Sequence, residues 1–204
     1  MDLSAPMASL LNNLDAVALR VVARAGSALS GRQIARLAGT GTPANIRLSL
    51  LRLVDIGLVS SVPTPHATLY SANRLHILWP AIEIAMNART ELIQRIRTLA
   101  SSSAPKATAV ALYGSVARGD STATSDVDLL VIFSDVVSLD DRDTFVTELR
   151  NNVQLWTGND AQIYDLTTSA LEKQREDRDP MIASWNTDGM VIFGAPNLEI
   201  RKAQ

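Results

Sequence analysis

Residues 108–133 read Thr-Ala-Val-Ala-Leu-Tyr-Gly-Ser-Val-Ala-Arg-Gly-Asp-Ser-Thr-Ala-Thr-Ser-Asp-Val-Asp-Leu-Leu-Val-Ile-Phe, two apolar runs joined by a polar turn. The first run, residues 109–113, ends at Gly114-Ser115, as a buried strand does where it meets a tight turn. The residues after Ser115 predict a short helix. The second run, residues 127–133, predicts another buried strand, so this stretch indicates a strand–turn–strand unit inside a sheet domain.

Two aspartates stand at the start of the second strand. Asp126 precedes the strand, and Asp128 is the only charged residue within it. Because strand side chains alternate, both point to one face, with Cα atoms about 7 Å apart at about 3.3 Å of rise per residue. Two like charges beside an apolar strand repel each other unless a cation neutralises them. Mg²⁺ prefers such oxygen ligands, so the pattern predicts a metal site at Asp126 and Asp128.

The turn after the first strand has the composition of a phosphate-binding turn. Gly114 lets the backbone approach a phosphate closely, and Ser115 adds a hydroxyl donor. Backbone amides at a strand-to-helix turn favour an anion. A metal site that faces such a turn suits a nucleoside triphosphate.

The spacing of these residues resembles the motif of the polymerase β-like nucleotidyltransferase superfamily. Gly114-Ser115, ten residues and then Asp126-Val127-Asp128 match its pattern, and Gly-Ser-x-Ala-Arg-Gly-Asp is similar to its small stand-alone members, the minimal nucleotidyltransferases. The resemblance implies a small mixed sheet flanked by helices. It also implies in-line transfer of a nucleoside monophosphate from an NTP to an acceptor hydroxyl, with release of pyrophosphate.

The same resemblance implies the cofactors and the roles of the residues. Two Mg²⁺ ions are expected on Asp126 and Asp128, together with an NTP such as ATP. The expected nucleotide-binding residues are Gly114, Ser115, Arg118, Ser125 and Gln162. Arg118 either neutralises phosphate charge or forms a structural salt bridge to a nearby aspartate. The acceptor stays open between tRNA, a protein and a small molecule, and some relatives belong to toxin–antitoxin pairs.

A third strand, predicted at residues 161–166, determines how complete the catalytic site is. The family carries a third carboxylate on this strand, and Gln162 stands at its expected place in this sequence. Glutamine forms hydrogen bonds but takes no proton at neutral pH. Asp160 lies one step earlier on the same face and is the candidate replacement as third ligand or base, whereas Asp165 faces the other way.

Composition and charge indicate two modules. The chain has 204 residues, 47% of them hydrophobic, which suits one large domain or two small ones. Residues 1–80 carry seven arginines against three aspartates, whereas residues 105–204 carry nine lysines and arginines against sixteen acids. The absence of cysteine excludes disulfides and thiolate metal sites and fits a cytoplasmic location. No signal peptide, membrane span or membrane partner is expected.

The first module resembles a winged helix-turn-helix domain of prokaryotic regulators. Ser30 is a candidate N-cap of a second helix, and Thr42 of a third helix that begins at Pro43. The predicted helices are residues 14–25, 31–37 and 43–56, and the predicted strands of the wing are residues 58–62 and 68–72. The expected fold class is therefore a two-domain α+β or α/β chain, with a winged helix before a nucleotidyltransferase domain.

The third helix of that module is the candidate DNA-reading element. The predicted apolar stripe consists of Ile46, Leu50, Leu51 and Val54. The candidate contacts to duplex DNA are Asn45, Arg47, Ser49 and Arg52 on the helix and His66 on the wing. Winged helices also contact proteins, so a protein-binding role stays open.

The modules are joined by a predicted connecting helix at residues 74–100, capped at Asn73 or restarted at Pro80. Its apolar stripe packs on one of the modules or pairs with a second subunit to form a homodimer. Residues 101–105 predict a linker. The expected domains are a winged helix at residues 1–79, the connecting helix and linker at 80–104, and a nucleotidyltransferase domain at 105–204. Its remaining predicted elements are helices at 140–156, 168–175 and 180–185 and a strand at 190–193.

Three interpretations follow from the sequence. The first is a DNA-associated nucleotidyltransferase in an autoregulated or toxin–antitoxin operon. The second is a transcriptional regulator whose degenerate transferase domain senses a nucleotide, which Gln162 favours. The third is a protein-interaction module or antitoxin with neither activity.

Overall fold

The computed structural model describes residues 1–104 and 107–195 and the backbone of Arg201–Lys202. The chain forms two compact units. One unit is Ala5–Ala88, and the other combines Met1–Ser4 with the described residues from Arg89 onward. The first unit is therefore inserted, in sequence, between two segments of the second.

The Ala5–Ala88 unit contains helices and one small sheet. A 3-10 turn at Pro6–Ser9 is followed by α1 (Asn13–Arg24), β1 (Leu29–Ser30), α2 (Gly31–Ala38), α3 (Pro43–Asp55), β2 (Val59–Pro63), β3 (Thr68–Ala72) and α4 (Trp79–Met86). The strands form an antiparallel sheet in the order β1-β3-β2. The sequence missed the two-residue strand β1, which is too short to show a periodic pattern.

The helix starts in this unit follow from their capping residues. The Ser30 side chain accepts a hydrogen bond from the Gln33 backbone amide, and the Gln33 side chain accepts one from the Ser30 amide, which completes a capping box. The Thr42 side chain caps α3 by accepting from the Asn45 amide. Both predicted caps are confirmed. They could be predicted because side-chain capping depends on residues close in sequence.

The buried face of α3 differs in part from the predicted stripe. Ile46 and Leu50 are fully buried as predicted, but Leu51 is 41% exposed and Leu53 is buried in its place. Ser49, expected on a solvent-facing side, is 0% exposed. The prediction for Leu51 and Ser49 was wrong. Helix α1 and the sheet both pack on α3, and the face of α3 that they cover is rotated slightly about the helix axis from the predicted apolar stripe.

The connecting segment is two helices rather than one. Helix α4 ends at Met86, and α5 spans Ala88–Ser102. The buried residues of α5 belong to the core of the second unit; they are Leu92, Ile93, Ile96, Leu99 and Ala100. The units therefore divide between Ala88 and Arg89 instead of at the expected linker, whose residues Ser101 and Ser102 are helical and whose Pro105 lies outside the described residues.

The second unit is built on a mixed five-stranded sheet. Its elements after α5 are β4 (Ala109–Tyr113), α6 (Gly114–Arg118), β5 (Val127–Phe133), α7 (Leu139–Thr157), β6 (Ala161–Thr167), α8 (Thr168–Glu176), α9 (Pro180–Asp188), β7 (Met190–Gly194) and β8 (Arg201–Lys202). The strand order is β6-β5-β4-β7-β8. Strand β5 is antiparallel to β4 and parallel to β6. The predicted small mixed sheet with flanking helices is confirmed. The cap of α8 is Thr167, the residue directly before the predicted helix at 168–175.

Helices cover both faces of this sheet. Alternate β5 residues, among them Val127 and Leu129, pack in a core with α5 and α7. The others, Leu130 and Ile132, pack with Leu171 of α8 and Trp185 of α9. Because strand side chains alternate, Asp128 belongs to the face that α8 and α9 cover. Within residues 1–104 and 107–195, no helix has the length and hydrophobicity needed to cross a bilayer.

Candidate functional site

The site is centred on a close approach between Gly114 and Asp128. Strand β4 ends at Tyr113, whose register partner on β5 is Asp128. Gly114 follows with φ 68°, and a Cβ at this position would overlap Oδ2 of Asp128 and lie 2.9 Å from its Cγ. Glycine is therefore required at this position for two reasons. The backbone is left-handed, and the Asp128 carboxylate fills the space that a side chain would occupy.

The two predicted metal-binding acids lie beside each other. Burial, and then the charge of Asp126, raise the pKa of Asp128, while the charge of Arg118 opposes them. In the part of the chain that the structure describes, no hydrogen bond or ion pair reaches either carboxylate. Two adjacent, unneutralised carboxylates provide the oxygen ligands and the negative charge that suit a divalent cation such as Mg²⁺.

The segment between these acids and Gly114 is held by its own backbone. The Ser115 carbonyl accepts hydrogen bonds from the amides of Gly119 and Asp120, at 2.9 and 3.1 Å. Gly119 closes the helix with φ 83°. Ser115 therefore lies in the first turn of α6, directly after the glycine that faces Asp128.

Ser125 precedes the first acid, and its hydroxyl is used within the loop. The Thr122 amide donates to Ser125 Oγ at 2.8 Å. Asn159 Nδ2 donates to the Ser125 carbonyl, also at 2.8 Å. Asn159 is buried. Its role as a support of the loop before Asp126 needs a contact across 34 residues, which no local pattern predicts.

Arg118 forms the salt bridge that was one of its two expected roles. Its guanidinium contacts Asp188 at 2.7 Å and Asp120 at 3.2 Å. The hydrogen bond to Asp188, followed by that to Asp120, raises the pKa of Arg118, so the side chain stays positive. Its charge also opposes the rise in the pKa of Asp128, so it acts electrostatically on that acid as well.

Strand β6 brings Gln162 next to Asp128, its register partner. Asp160 lies just before the strand, where its Oδ1 accepts from Gln154 Nε2 at 3.3 Å on α7, the helix of the opposite face. Asp165 pairs with Arg142 of the same helix at 3.4 Å. Across residues 1–104 and 107–195, no group of three acidic or histidine side chains is arranged to hold a metal. The site thus combines two acids with a glutamine.

An aromatic wall, formed by Tyr113, Tyr164 and Trp185, adjoins Asp128. The Trp185 ring lies 6.3 Å from that of Tyr113 and 5.4 Å from that of Tyr164, measured between centroids. Burial, followed by the charge of Asp128, raises the pKa of Tyr113, which keeps its hydroxyl protonated at neutral pH. The sequence analysis did not single out these residues, although Tyr113 directly precedes the motif glycine.

The candidate DNA contacts are only partly brought together. Arg47 and His66 line one surface groove of about 670 Å³, together with Arg32 of α2. Asn45 is exposed near the start of α3, whereas Ser49 is buried and faces no solvent. The groove adds Arg32, which the sequence analysis left out because it lies on a different helix.

Arg52, the remaining candidate, is engaged inside the unit. Its Nε and Nη2 bond the two oxygens of Asp15 on α1 at 3.1 and 2.5 Å, and Nη2 also donates to Ser49 Oγ at 3.0 Å. Burial raises the pKa of Asp15, but the hydrogen bonds from Arg52 and Ser49 outweigh it, so that the pKa lies below its ordinary value. This arrangement joins α1 to α3.

Comparison with known proteins identifies the second unit in part. Residues 94–178, less than half of the chain, match the family described as polymerase beta, nucleotidyltransferase. These residues are thus similar to nucleotidyltransferases of the polymerase β type. A search of curated proteins finds no match to the chain.

Solved structures are similar to the chain only at a distance. A toxin–antitoxin complex crystallised with AMP-PNP shares 21% identity over 50% of this chain and 73% of that chain, with a TM-score of 0.37. A proposed nucleotidyltransferase from Sulfolobus solfataricus shares 26% identity over 51% of this chain and 85% of that chain, with a TM-score of 0.28. TrmBL2, an archaeal chromatin protein, shares 13% identity over 96% of this chain and 78% of that chain, with a TM-score of 0.30. TM-scores this low do not establish a shared fold.

Proposed function

We propose that the polymerase β-type domain at residues 94–178 transfers a nucleoside monophosphate from an NTP to an acceptor hydroxyl. The observation that carries this proposal is the contact of Gly114 with Asp128, beside the second acid, Asp126. It places a small-residue turn against a pair of carboxylates that form no salt bridge with any described residue. This is the arrangement that a metal-bound triphosphate needs, with oxygen ligands on one side and backbone donors on the other.

The residues of the motif have separate roles in this proposal. Asp126 and Asp128 hold Mg²⁺, which when bound stabilises negative charge on the reacting phosphate oxygens. Gly114 and Ser115 bind the phosphates through backbone amides and the serine hydroxyl. Arg118, whose guanidinium is kept positive by Asp188, adds a positive charge that acts on the phosphates without touching them.

Gln162 limits the ability of the site to activate the acceptor hydroxyl. It occupies the register position beside Asp128 but takes no proton from an attacking hydroxyl. Asp160 accepts a hydrogen bond from Gln154 of α7, on the opposite face of the sheet, and would have to turn toward Asp128 to act as a base. A second candidate function follows from this observation, in which the domain binds Mg·NTP as a sensor and transfers slowly or not at all.

A transfer assay tests the first candidate. The chain is incubated with Mg²⁺, each labelled NTP and tRNA, protein extract or small-molecule acceptors, and label transfer is measured. Asp126→Asn and Asp128→Asn should abolish transfer, whereas Asp165→Asn, an acid that pairs with Arg142 on the other face, should retain it. Transfer that survives in both site variants would show that the site is elsewhere.

Calorimetry with Mg·ATP separates the two candidates. A sensor binds Mg·ATP in a manner that depends on Asp128 but labels no acceptor. A chain that binds no nucleotide triphosphate would contradict both candidates and would favour a protein-interaction role.

We also propose that the Ala5–Ala88 unit is a winged helix that binds duplex DNA. Three helices followed by a hairpin, with the strand order β1-β3-β2, support the winged-helix assignment. The groove that joins Arg47 and His66 with Arg32 supports contact with phosphate, because it collects cationic and protonatable side chains from both helices and the wing.

Salt-dependent binding to duplex DNA tests this second activity. Phosphate contacts weaken as the salt concentration rises. Fluorescence anisotropy should therefore show the tightest binding at the lowest salt concentration used, about 50 mM. No binding at that salt concentration would exclude a DNA-binding role for this unit and leave the transferase proposal unaffected.

A further inference from the structure

Arg89 holds the segment that carries the Gly114-Ser115 turn. Its Nε donates to the Val116 carbonyl and its Nη2 to the Ala117 carbonyl, both at 2.9 Å. Val116 and Ala117 are buried, so these carbonyls lie where water does not readily replace the guanidinium. Arg89 precedes the family-matched residues 94–178, and its role therefore does not follow from that match.

The short helix α6 needs such a donor. The last four carbonyls of a helix have no partner within it, and α6 has only five residues. The amides of Gly119 and Asp120 both bond the Ser115 carbonyl, which leaves the next two carbonyls for donors from elsewhere. A guanidinium suits this position because its rigid fork donates to two acceptors at once. A buried carbonyl without a partner would cost stability and would favour movement of the segment.

Movement of α6 would act directly on the acid pair. The helix begins at Gly114, and the Asp128 carboxylate lies in the space where Gly114 lacks a side chain. A displacement of the segment by a fraction of an ångström therefore changes the gap between the turn and the carboxylate. The bonds from Arg89 act at the far end of α6 and keep this gap constant.

A second contact holds the middle of the same loop. The Ser121 amide donates to Ser4 Oγ at 2.9 Å, and the two hydroxyls lie 2.7 Å apart. Leu3 is buried in the same core as Val116 and Ala117. The loop from Gly114 to Asp126 is thus held by Arg89 and Ser4, the residues that flank the Ala5–Ala88 unit in sequence.

We propose that Arg89 is a positioning residue for nucleotide binding, which sets the Gly114-Ser115 turn against Asp128 through the Val116 and Ala117 carbonyls. This inference rests on the proposed nucleotidyltransferase function. The ligand it supports is a metal-bound nucleoside triphosphate, and the side chain itself touches none of the reacting atoms. Ser4 supports the same loop at Ser121.

Arg97 provides a matched control for the test. It lies on the same helix, and its Nε donates to the Ile192 carbonyl at 2.9 Å on β7, while its Nη1 bonds Gln94. Arg89→Met and Arg97→Met each remove a guanidinium that bonds a main-chain carbonyl. Only the first removes support from the Gly114–Arg118 segment.

Calorimetry with Mg·ATP and amide hydrogen exchange form the experiment. Arg89→Met should weaken Mg·ATP binding about tenfold, as loss of a supporting outer contact does in metal sites, while Arg97→Met should change it less than about twofold. Exchange at residues 114–120 without nucleotide should be faster in Arg89→Met alone. Arg89→Lys keeps the charge but not the fork, so it should weaken binding by an intermediate factor.

The outcomes separate the inference from the function beneath it. If the wild-type chain binds Mg·ATP and the two methionine variants bind it equally, the inference is wrong and the function stands. If the wild-type chain binds no Mg·ATP, the proposed function fails and the inference fails with it. Should Arg89→Met not fold, Arg89→Lys and Ser4→Ala take its place, and wild-type affinity and wild-type exchange in both would overturn the proposal.

Discussion

Gly114 and Asp128 approach so closely that the carboxylate occupies the place of a glycine side chain. Gly114 directly follows Tyr113, the last residue of β4, and Asp128 is the register partner of Tyr113 on β5. The contact brings together the two halves of a motif that are fourteen residues apart in sequence. It is also the geometry on which the proposed nucleotide site depends.

Gly114→Ala should remove nucleotide binding, because the new methyl group would overlap Asp128 Oδ2 and displace either the turn or the carboxylate. Gly119→Ala is the matched control. Gly119 also has positive φ, but no atom of the described chain lies within 4 Å of a Cβ there. It should lose about 1–2 kcal/mol of unfolding free energy from backbone strain alone and still bind Mg·ATP. Urea unfolding and calorimetry measure the two effects, and equal binding in both variants would contradict the steric argument.

Asp128→Asn should raise the Tm of the metal-free protein at pH 7. The pKa of Asp128 is raised in the folded chain by burial and by Asp126, so the ionised carboxylate destabilises the fold. When the pKa of a carboxyl is higher in the folded than in the unfolded chain, stability falls as the pH rises from the unfolded-state pKa through the folded-state pKa. Below the unfolded-state pKa the carboxyl is protonated in both states and the effect is absent. The advantage of the variant should therefore shrink as the pH falls from 7 toward 4.

Mg²⁺ provides the control for that prediction. Thermal unfolding in EDTA and in Mg²⁺ should show a metal-dependent rise in Tm for the wild type and a smaller one for Asp128→Asn. A variant that is less stable than the wild type in EDTA would show that the Asp128 carboxylate is satisfied by the protein alone.

Gln162→Asp should increase the rate of nucleotidyl transfer, because it places a third carboxylate beside Asp128 in the register that β5 and β6 define. A positioned base contributes about 10²–10⁴-fold, so an increase of at least about tenfold is expected. Gln162→Asn has the same shape without the charge and should leave the rate unchanged. Equal rates in the two variants would mean that Gln162 does not limit catalysis.

Arg47→Ala and Arg52→Ala should affect the Ala5–Ala88 unit in different ways. Arg47 lines the groove, so its loss should weaken DNA binding and reduce the slope of log K against log salt by about 1. Arg52 bonds Asp15, so its loss should lower the Tm and leave the salt slope nearly unchanged. Anisotropy titrations over a range of salt and thermal unfolding distinguish the two. A reduced slope in Arg52→Ala instead would mean that Arg52 leaves Asp15 to contact DNA.

The elements that the sequence predicts well are those whose causes are local. The ends of β4 and β5, the caps at Ser30 and Thr42 and the start of α3 at Pro43 all follow from neighbouring residues. The position of Gln162 is also readable, because strand alternation places it on the side of its strand that bears the expected acid. These features depend on backbone sterics and on hydrogen bonds over three or four residues.

The errors concern which side of an element is covered. The pattern of α3 allowed a stripe through Leu51, but packing of α1 and the sheet buries Leu53 and Ser49 instead. The helical pattern at residues 74–100 showed an apolar stripe without showing which module it packs on, and α5 belongs to the second unit. An amphipathic pattern indicates that one face of a helix is buried, but it does not indicate which other element packs against that face.

The motif alone therefore predicts the chemistry. Two acids, a small-residue turn and a glutamine in place of a third acid can be read from residues 114–162, because each depends on residue type and spacing. Tertiary structure alone decided which side chains support that chemistry. Arg89, Ser4 and Asn159 reach the motif from distant parts of the chain, and Arg52 bonds Asp15 although 52% of its side chain is exposed. Such contacts form only when the chain is folded, since a hydrogen bond between distant residues depends on the packing that brings its donor and acceptor together.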